Sequence, residues 1–234
     1  MNQLKDSKTL NILGCVPFLL NILFELAQES NGIESYRILK NTAVDDLTFF
    51  NSSKEWNVDI IEPNSVLKPH ISQEQFAFSV VGVQSKELVY DYFKERLKYH
   101  NHQFINLVHP TSYISRSVKL NYGLQLEPLS TLAACSTLGF GVNIKRNTSI
   151  GHHCIIEDFA TINPGVTLSS FVKIGRNTMI GSGTTVKNGI TIGKNSIIGI
   201  GSAVVKDIPD NSIAYGNPCV VHRQNSKTDN IKCN

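Results

Sequence analysis

The chain is 234 residues long and 41% hydrophobic, and its 22 basic and 19 acidic residues leave a net charge of +3. That is enough apolar material for one large or two small globular cores, and with no long block of like charge to grip a phosphate backbone, nucleic acid is excluded as a partner. The five cysteines (Cys15, Cys135, Cys154, Cys219 and Cys233) are odd in number, scattered and without a CxxC pair, which excludes a disulfide framework and a structural zinc site and fits reduced thiols in a cytoplasm.

Leu10 to Ala27 is rich in Leu, Ile and Phe and follows Lys5 and Lys8, but Asn11, Pro17, Asn21 and Glu25 interrupt it and no small-x-small cleavage site follows. It reads as a buried strand running into a helix, with no membrane span. Leu10 to Leu13 is the predicted strand, closed by Gly14, and Pro17 suits the first turn of a helix reaching about Gln28. Further strands are predicted near Ile38 to Val44, Val58 to Ile61, Phe76 to Val81 and Phe104 to Val108. Between the last two, Ser85 caps a predicted helix that carries Leu88, Val89, Tyr92, Phe93 and Leu97 on one face. This alternation predicts a small Rossmann-like α/β domain with a parallel sheet over residues 1–108. Ligands of such sheets sit beyond the carboxyl ends of the strands, which makes Gly14, the pair Asp45 and Asp46, and Gly82 candidate substrate-binding positions.

From Ile114 to Val204 every sixth residue is Ile, Leu or Val. Four residues after each of these runs a second column of small or apolar residues, among them Val118, Val142, Thr148, Cys154, Ala160, Val166 and Thr178. Three residues after each aliphatic position runs a column rich in Asn and Gly (Asn147, Gly165, Asn177, Gly183, Gly189, Asn195, Gly201), types that tolerate positive φ at a tight bend. Each hexapeptide therefore reads as one short strand and one corner. Such strands bury their aliphatic column only by stacking on the coil above and below, which predicts a solenoid over residues 109–222 followed by a tail, 223–234.

Four segments carry a resemblance that spans nearly the whole chain: the strand ending in Asp45-Asp46, the run Phe104-Ile-Asn-Leu-Val-His-Pro110, the segment from Ile150 to Gly165 that contains His152-His153-Cys154, and the closing Gly216-Asn-Pro218. Together they resemble the hexapeptide-repeat acyltransferases, and among these the family of sialic-acid O-acetyltransferases and nucleotide-aminosugar N-acetyltransferases. The resemblance implies a left-handed parallel β-helix of about five triangular coils behind the nucleotide-sugar domain, a homotrimer with its sites between subunits, and acetyl-CoA as acyl donor. Departures are visible. The family's glycine-rich turn is reduced to Gly14-Cys15-Val16-Pro17, where proline has no N–H to offer a phosphate. Thr161 stands where the family uses histidine, and Cys219 and Val220 stand where Ala and Lys are usual.

Acyl transfer needs a base to take the proton of the attacking amine or hydroxyl, and histidine suits that task near neutral pH. His152 falls in the outward column with Arg146, Asp158, Ser170, Arg176, Ser182 and Lys194, and His153 falls in the bend column and reads as a corner residue. Cys154 shares the inward column, so transfer is expected to be direct, without an acylated cysteine. A metal is not expected, since a zinc site needs three converging ligands and no third histidine lies in the repeat. The resemblance implies His152 as general base; the family usually follows this histidine with Asp or Glu, here replaced by His153, so the group that orients the imidazole is expected elsewhere, with Glu157 and Asp158 as candidates. It implies CoA along Thr161, Ser170, Ser182, Ile200 and the Gly216 to Pro218 turn. The implied reaction is N-acetylation of a nucleotide-linked amino sugar, a 4-amino-4,6-dideoxyhexose, for a surface glycan. The alternatives are O-acetylation of a sugar hydroxyl, as in sialic acid, and a non-catalytic sugar-binding or scaffold protein.

Overall fold

The computed structural model describes residues 9–42, 56–63, 65, 74–80 and 82–226. Strand β1 (Thr9–Leu13) leads into helix α1 (Pro17–Asn31), with proline at the first turn and Gly32 in the left-handed conformation as its C-cap. β2 (Ser35–Leu39), β3 (Asn57–Ile61) and β4 (Gln75–Phe78) complete a four-stranded parallel sheet in the order β3-β2-β1-β4. Leu10, Ile12, Leu20, Phe24 and Ile38 fill the layer between sheet and α1, and the Phe24 ring stacks on Tyr36 at 3.9 Å. Helix α2 (Ser85–Leu97) has Gln84 as N-cap in place of the expected Ser85, which is the first helical residue, and the cap carries no side-chain hydrogen bond.

The buried face of α2 is rotated from the predicted one. Lys86, Val89, Tyr90, Phe93 and Leu97 point inward, while Leu88 is 60% exposed. The cause is Lys86, whose ammonium donates to the carbonyls of Gly141 (2.9 Å) and Ala160 (3.2 Å) and so draws its side of the helix against the second half of the chain. The predicted strand Phe104 to Val108 is divided. Phe104 makes one bridge to Phe76, and Leu107–Val108 pairs with Gln125–Leu126.

From Leu107 onward the chain is a left-handed parallel β-helix with three flat faces. The first face carries Leu107–Val108, Gln125–Leu126, Asn143–Ile144, Thr161–Ile162, Met179–Ile180 and Ile197–Ile198. The second runs from Tyr113–Ile114 to Ala203–Val204, and the third from Lys119–Leu120 to Thr191–Ile192. Every strand from Leu107–Val108 to Thr185–Val186 pairs in parallel with the one eighteen residues on, as in Thr161↔Met179, because three hexapeptides make one coil. The aliphatic column is the axial core: Leu126, Ile144, Ile162, Ile174, Ile180 and Val186 are fully buried. The second column also points inward, and its hydroxyls cap backbone carbonyls, Ser130 to Lys145 (2.9 Å) and Thr184 to Gly199 (3.0 Å). Those bonds are what make polar atoms tolerable in that interior.

The bends take positive φ at Asn147, Asn177 and Asn195 as the sequence implies, but also at Leu129, Cys135, Phe159 and Phe171. Bulky residues in that region are strained, so each must be held by its surroundings. Phe159 is held by the seam between the halves, where it meets the rings of Phe78, Tyr90 and Phe140 within about 6 Å, all of them buried. The seam is reinforced by Gln125 Nε2 donating to the Phe78 carbonyl (2.7 Å) and by Arg176 bridging Glu87 and Asp158. After the last coil, Ser212–Gly216 and Cys219–Gln224 form an antiparallel hairpin on the first face. Among the described residues, no helix is long and apolar enough to cross a membrane.

Candidate active site

His152 sits on the corner between the second and third faces, after the strand Ser149–Ile150 and before Ile155–Ile156. The corner is tight: a Cβ on Gly151 would lie 2.7 Å from the backbone of Ser169 and Ser170 in the next coil, so only glycine lets the chain leave the strand here. His152 then projects into solvent, His153 takes the left-handed bend at φ +59°, and Cys154 turns back into the core. The Cys154 thiol donates to the Ser169 carbonyl at 3.2 Å, and burial pushes its pKa up, the reverse of what a nucleophile requires. Nδ1 of His152 lies 2.9 Å from Nδ1 of His153. The exposed Phe171 ring stacks on His153 (5.0 Å, 21°) and meets His152 edge-on (5.1 Å, 87°).

Glu157 and Asp158 lie on the next edge, between the third and first faces. Asp158 accepts from the Phe140 N–H (2.7 Å) and from Arg176 Nη1 (2.8 Å). Glu157 accepts from the Arg176 N–H (3.0 Å) and pairs with Lys173 at 3.2 Å. Both carboxylates thus tie one coil to the next, and among the described residues the polar group within hydrogen-bond distance of the His152 imidazole is His153. The reason is the period: each hexapeptide turns one corner, so Asp158, six residues on, cannot share the edge of His152.

The residues expected along CoA fall in three places on the chain. Ser170 is on the edge of His152, one coil higher. Ser182 and Ile200 are stacked on the edge between the first and second faces, where the Gly201 N–H donates to the Ser182 carbonyl (2.8 Å) and Ile200 is 79% exposed. The hairpin turn of Gly216 and Pro218 joins that same edge, through the Gly216 N–H to Ser202 Oγ (3.2 Å). Thr161 is apart from these, 4% exposed on the first face, beside the Ala160 carbonyl that Lys86 holds. In a single chain, the second face separates the His152 edge from the Ile200 edge.

In the amino-terminal domain, Gly14 and Gly82 follow β1 and β4, the two neighbouring strands from which the chain leaves in opposite directions. A Cβ on Gly14 would lie 2.5 Å from Val80 Cγ2, so β1 needs glycine to turn here. Asp45 and Asp46 lie outside the described residues. At the same sheet edge are groups the sequence reading did not select. Lys40, 6% exposed, pairs with both oxygens of Glu62 (2.9 and 3.1 Å), and the buried Ser79 hydroxyl has no hydrogen-bond partner. A lysine directly after an apolar strand was the available signal. A cleft of about 400 Å³ also opens between α1 and the β-helix, lined by Glu25, Glu29, His109, Glu127 and Arg146. Among the described residues no group of three or more His, Cys, Asp or Glu side chains is arranged to hold a metal ion.

Residues 171–206 match the family model for the bacterial transferase hexapeptide, six repeats. The chain is 32% identical over 85 residues to galactoside O-acetyltransferase of Lactococcus lactis subsp. lactis (strain IL1403), covering 36% of this chain and 32% of that protein. It is 26% identical over 125 residues to GDP-perosamine N-acetyltransferase of Escherichia coli O157:H7, covering 53% of this chain and 55% of that one. It thus spans about half, or less, of the length of the curated relatives it matches. Among solved structures, the acetyltransferase domain of PglB from Neisseria gonorrhoeae FA1090, in complex with acetyl coenzyme A, superposes with a TM-score of 0.73 at 22% identity, over 92% of this chain and all of that one.

Proposed function

We propose that this chain is an acetyl-CoA-dependent N-acetyltransferase that acylates the amine of a nucleotide-linked amino sugar, a 4-amino-4,6-dideoxyhexose, in the synthesis of a surface glycan. The observation that carries the reading is an exposed imidazole at a β-helix corner, with its Nδ1 engaged by a neighbouring ring and its Nε2 free of any protein partner among the described residues. In this reading the neutral amine attacks the thioester carbonyl, Nε2 of His152 takes the amine proton as the C–N bond forms, and the proton passes to the leaving CoA thiolate as the C–S bond breaks. Cys154 takes no part, since its sulfur faces the core.

CoA lies, on this proposal, in a groove between two copies of a homotrimer, with Ser170 near His152 on one edge and Ser182, Ile200, Gly216 and Pro218 on the other. A groove between subunits explains why the two edges are apart in one chain. The nucleotide sugar binds at the carboxyl edge of the amino-terminal sheet, beside Gly14 and Gly82, with Asp45 and Asp46 as further candidate contacts from the sequence, and the reaction is cytoplasmic, where acetyl-CoA is made. The match to the Escherichia coli N-acetyltransferase supports the amine acceptor. The match to the Lactococcus O-acetyltransferase favours a second reading, a sugar hydroxyl as acceptor. CoA release measured with a panel of nucleotide-linked amino sugars and their hydroxyl counterparts separates them. Turnover confined to the amines is expected, turnover of the hydroxyl sugars alone installs the second reading, and turnover of neither overturns both. Sedimentation tests the assembly: a monomer at assay concentration contradicts a site between subunits.

A further inference from the structure

His152 needs something to hold its ring and to decide which nitrogen is free, and the carboxylates of Glu157 and Asp158 are occupied on another edge. We propose that His153 is the positioning residue for His152, its ring fixing the imidazole so that Nε2 is the nitrogen that accepts the substrate proton. The inference rests on the reading of His152 as the base.

Two imidazole nitrogens 2.9 Å apart share one proton: with none the lone pairs repel, and with two the hydrogens collide. Nε2 of His152 can act as a base only when Nδ1 carries the hydrogen. That hydrogen is then donated to Nδ1 of His153, which must present its lone pair and keep its own hydrogen on Nε2. During transfer the amine proton goes to Nε2 of His152. The Nδ1 hydrogen stays between the rings, and no bond to His153 forms or breaks. His153 stabilises the resulting imidazolium as a neutral acceptor.

A second feature is independent of this distance. The His153 ring is clamped by Phe171, which itself occupies a bend at φ +62°, a conformation that costs Asn or Gly less than an aromatic residue. Phe171 remains 53% exposed, so burial does not explain the strained conformation. Its N–H donates to the His152 carbonyl (3.0 Å), and the His153 N–H donates to the Ala134 carbonyl (2.9 Å). Backbone and ring of both histidines are therefore fixed from the coils on either side, which gives Phe171 a reason to stand where a smaller residue would cost less.

The scaffold itself supplies folded controls. Its bends already carry Phe at φ +59° and +62°, and Asn at +57°, +59° and +55°. His153→Phe therefore keeps a ring on Phe171 and removes the acceptor, and His153→Asn places an amide oxygen close to where Nδ1 stood. In the full-length protein, ¹⁵N NMR of the His152 ring reads its tautomer directly, beside kcat and KM for acetyl-CoA. The expected result is an Nδ1–H tautomer in the wild type and in His153→Asn. In His153→Phe the tautomer is lost, and kcat falls roughly tenfold or more with KM unchanged, a share of the ~10²-fold or larger effect of a general base. Wild-type kcat and an unchanged tautomer in His153→Phe, alongside an inactive His152→Asn, overturn the role of His153 while leaving the base in place. Full activity in His152→Asn overturns both.

Discussion

The β-helix and the amino-terminal sheet bury their apolar residues in different ways. In the β-helix each coil repeats the one below it, so Ile144, Ile162, Ile180 and Ile198 make the same kind of contact four times on one face. In the sheet and its seam each contact is made once: one Tyr36 hydroxyl on the Phe24 and Ile33 carbonyls, one Lys86 ammonium, one cluster of rings around Phe78. A repeated core distributes stability over nearest neighbours, whereas a seam of unrepeated contacts concentrates it in single residues. The proposed chemistry follows the same division, because corners such as that of His152 are cheap variations on a scaffold whose interior does not change.

The largest effect is expected at the seam. Phe78→Ala removes a ring that packs against Tyr90, Phe104, Phe140 and Phe159, and should cost about 3–5 kcal/mol in denaturant unfolding. Ile162→Ala, in the middle of the stack, should cost about 2–4 kcal/mol. If the order is reversed, the seam is not where stability is concentrated.

Lys86 sharpens the contrast by pH. Burial lowers its pKa to about 7 from an ordinary value of 10.5. Between those values the unfolded chain holds a proton that the folded one has shed, so stability rises with pH across that window, by up to about 1.4 kcal/mol per pH unit, and is lowest below pH 7. Lys86→Met should abolish this slope relative to the wild type while taking the Lys86 donor from the Gly141 carbonyl, the Ala160 carbonyl still accepting from the Asn143 N–H, a loss of about 1–3 kcal/mol near pH 9. Equal slopes in denaturant titrations of the two proteins would show that the amine is not the group responsible. The smallest effect belongs to the β-helix surface. Lys173 pairs with Glu157, both partly exposed, and Lys173→Ala should change stability by less than about 0.5 kcal/mol.

The same contrast explains what the sequence revealed. A period repeated from Ile114 to Val204 identifies strand, corner, core column and outward column, so the burial of Cys154 and the exposure of His152 were both legible. Unrepeated features were not. The inward face of α2 was misjudged because an apolar pattern cannot foresee a lysine buried for two carbonyls on a distant corner. Phe104 to Val108 looks like a strand of the small sheet, yet Leu107–Val108 pairs with the first coil. Glu157 and Asp158 were chosen by charge, but an edge is shared at intervals of eighteen residues, and the neighbour that meets the His152 ring is the adjacent histidine. Phe159 and Phe171 were hidden for the opposite reason, since aromatic residues rarely take left-handed bends. Their role at the seam and at the corner becomes visible only in three dimensions.

The central claim is that the exposed imidazole of His152 takes the acceptor's proton. Its most direct test is kcat for His152→Asn with acetyl-CoA and the preferred nucleotide sugar, measured on protein whose melting temperature matches the wild type. A fall of about 10²- to 10⁴-fold with little change in KM is the expected result. Turnover within twofold of the wild type would contradict the account.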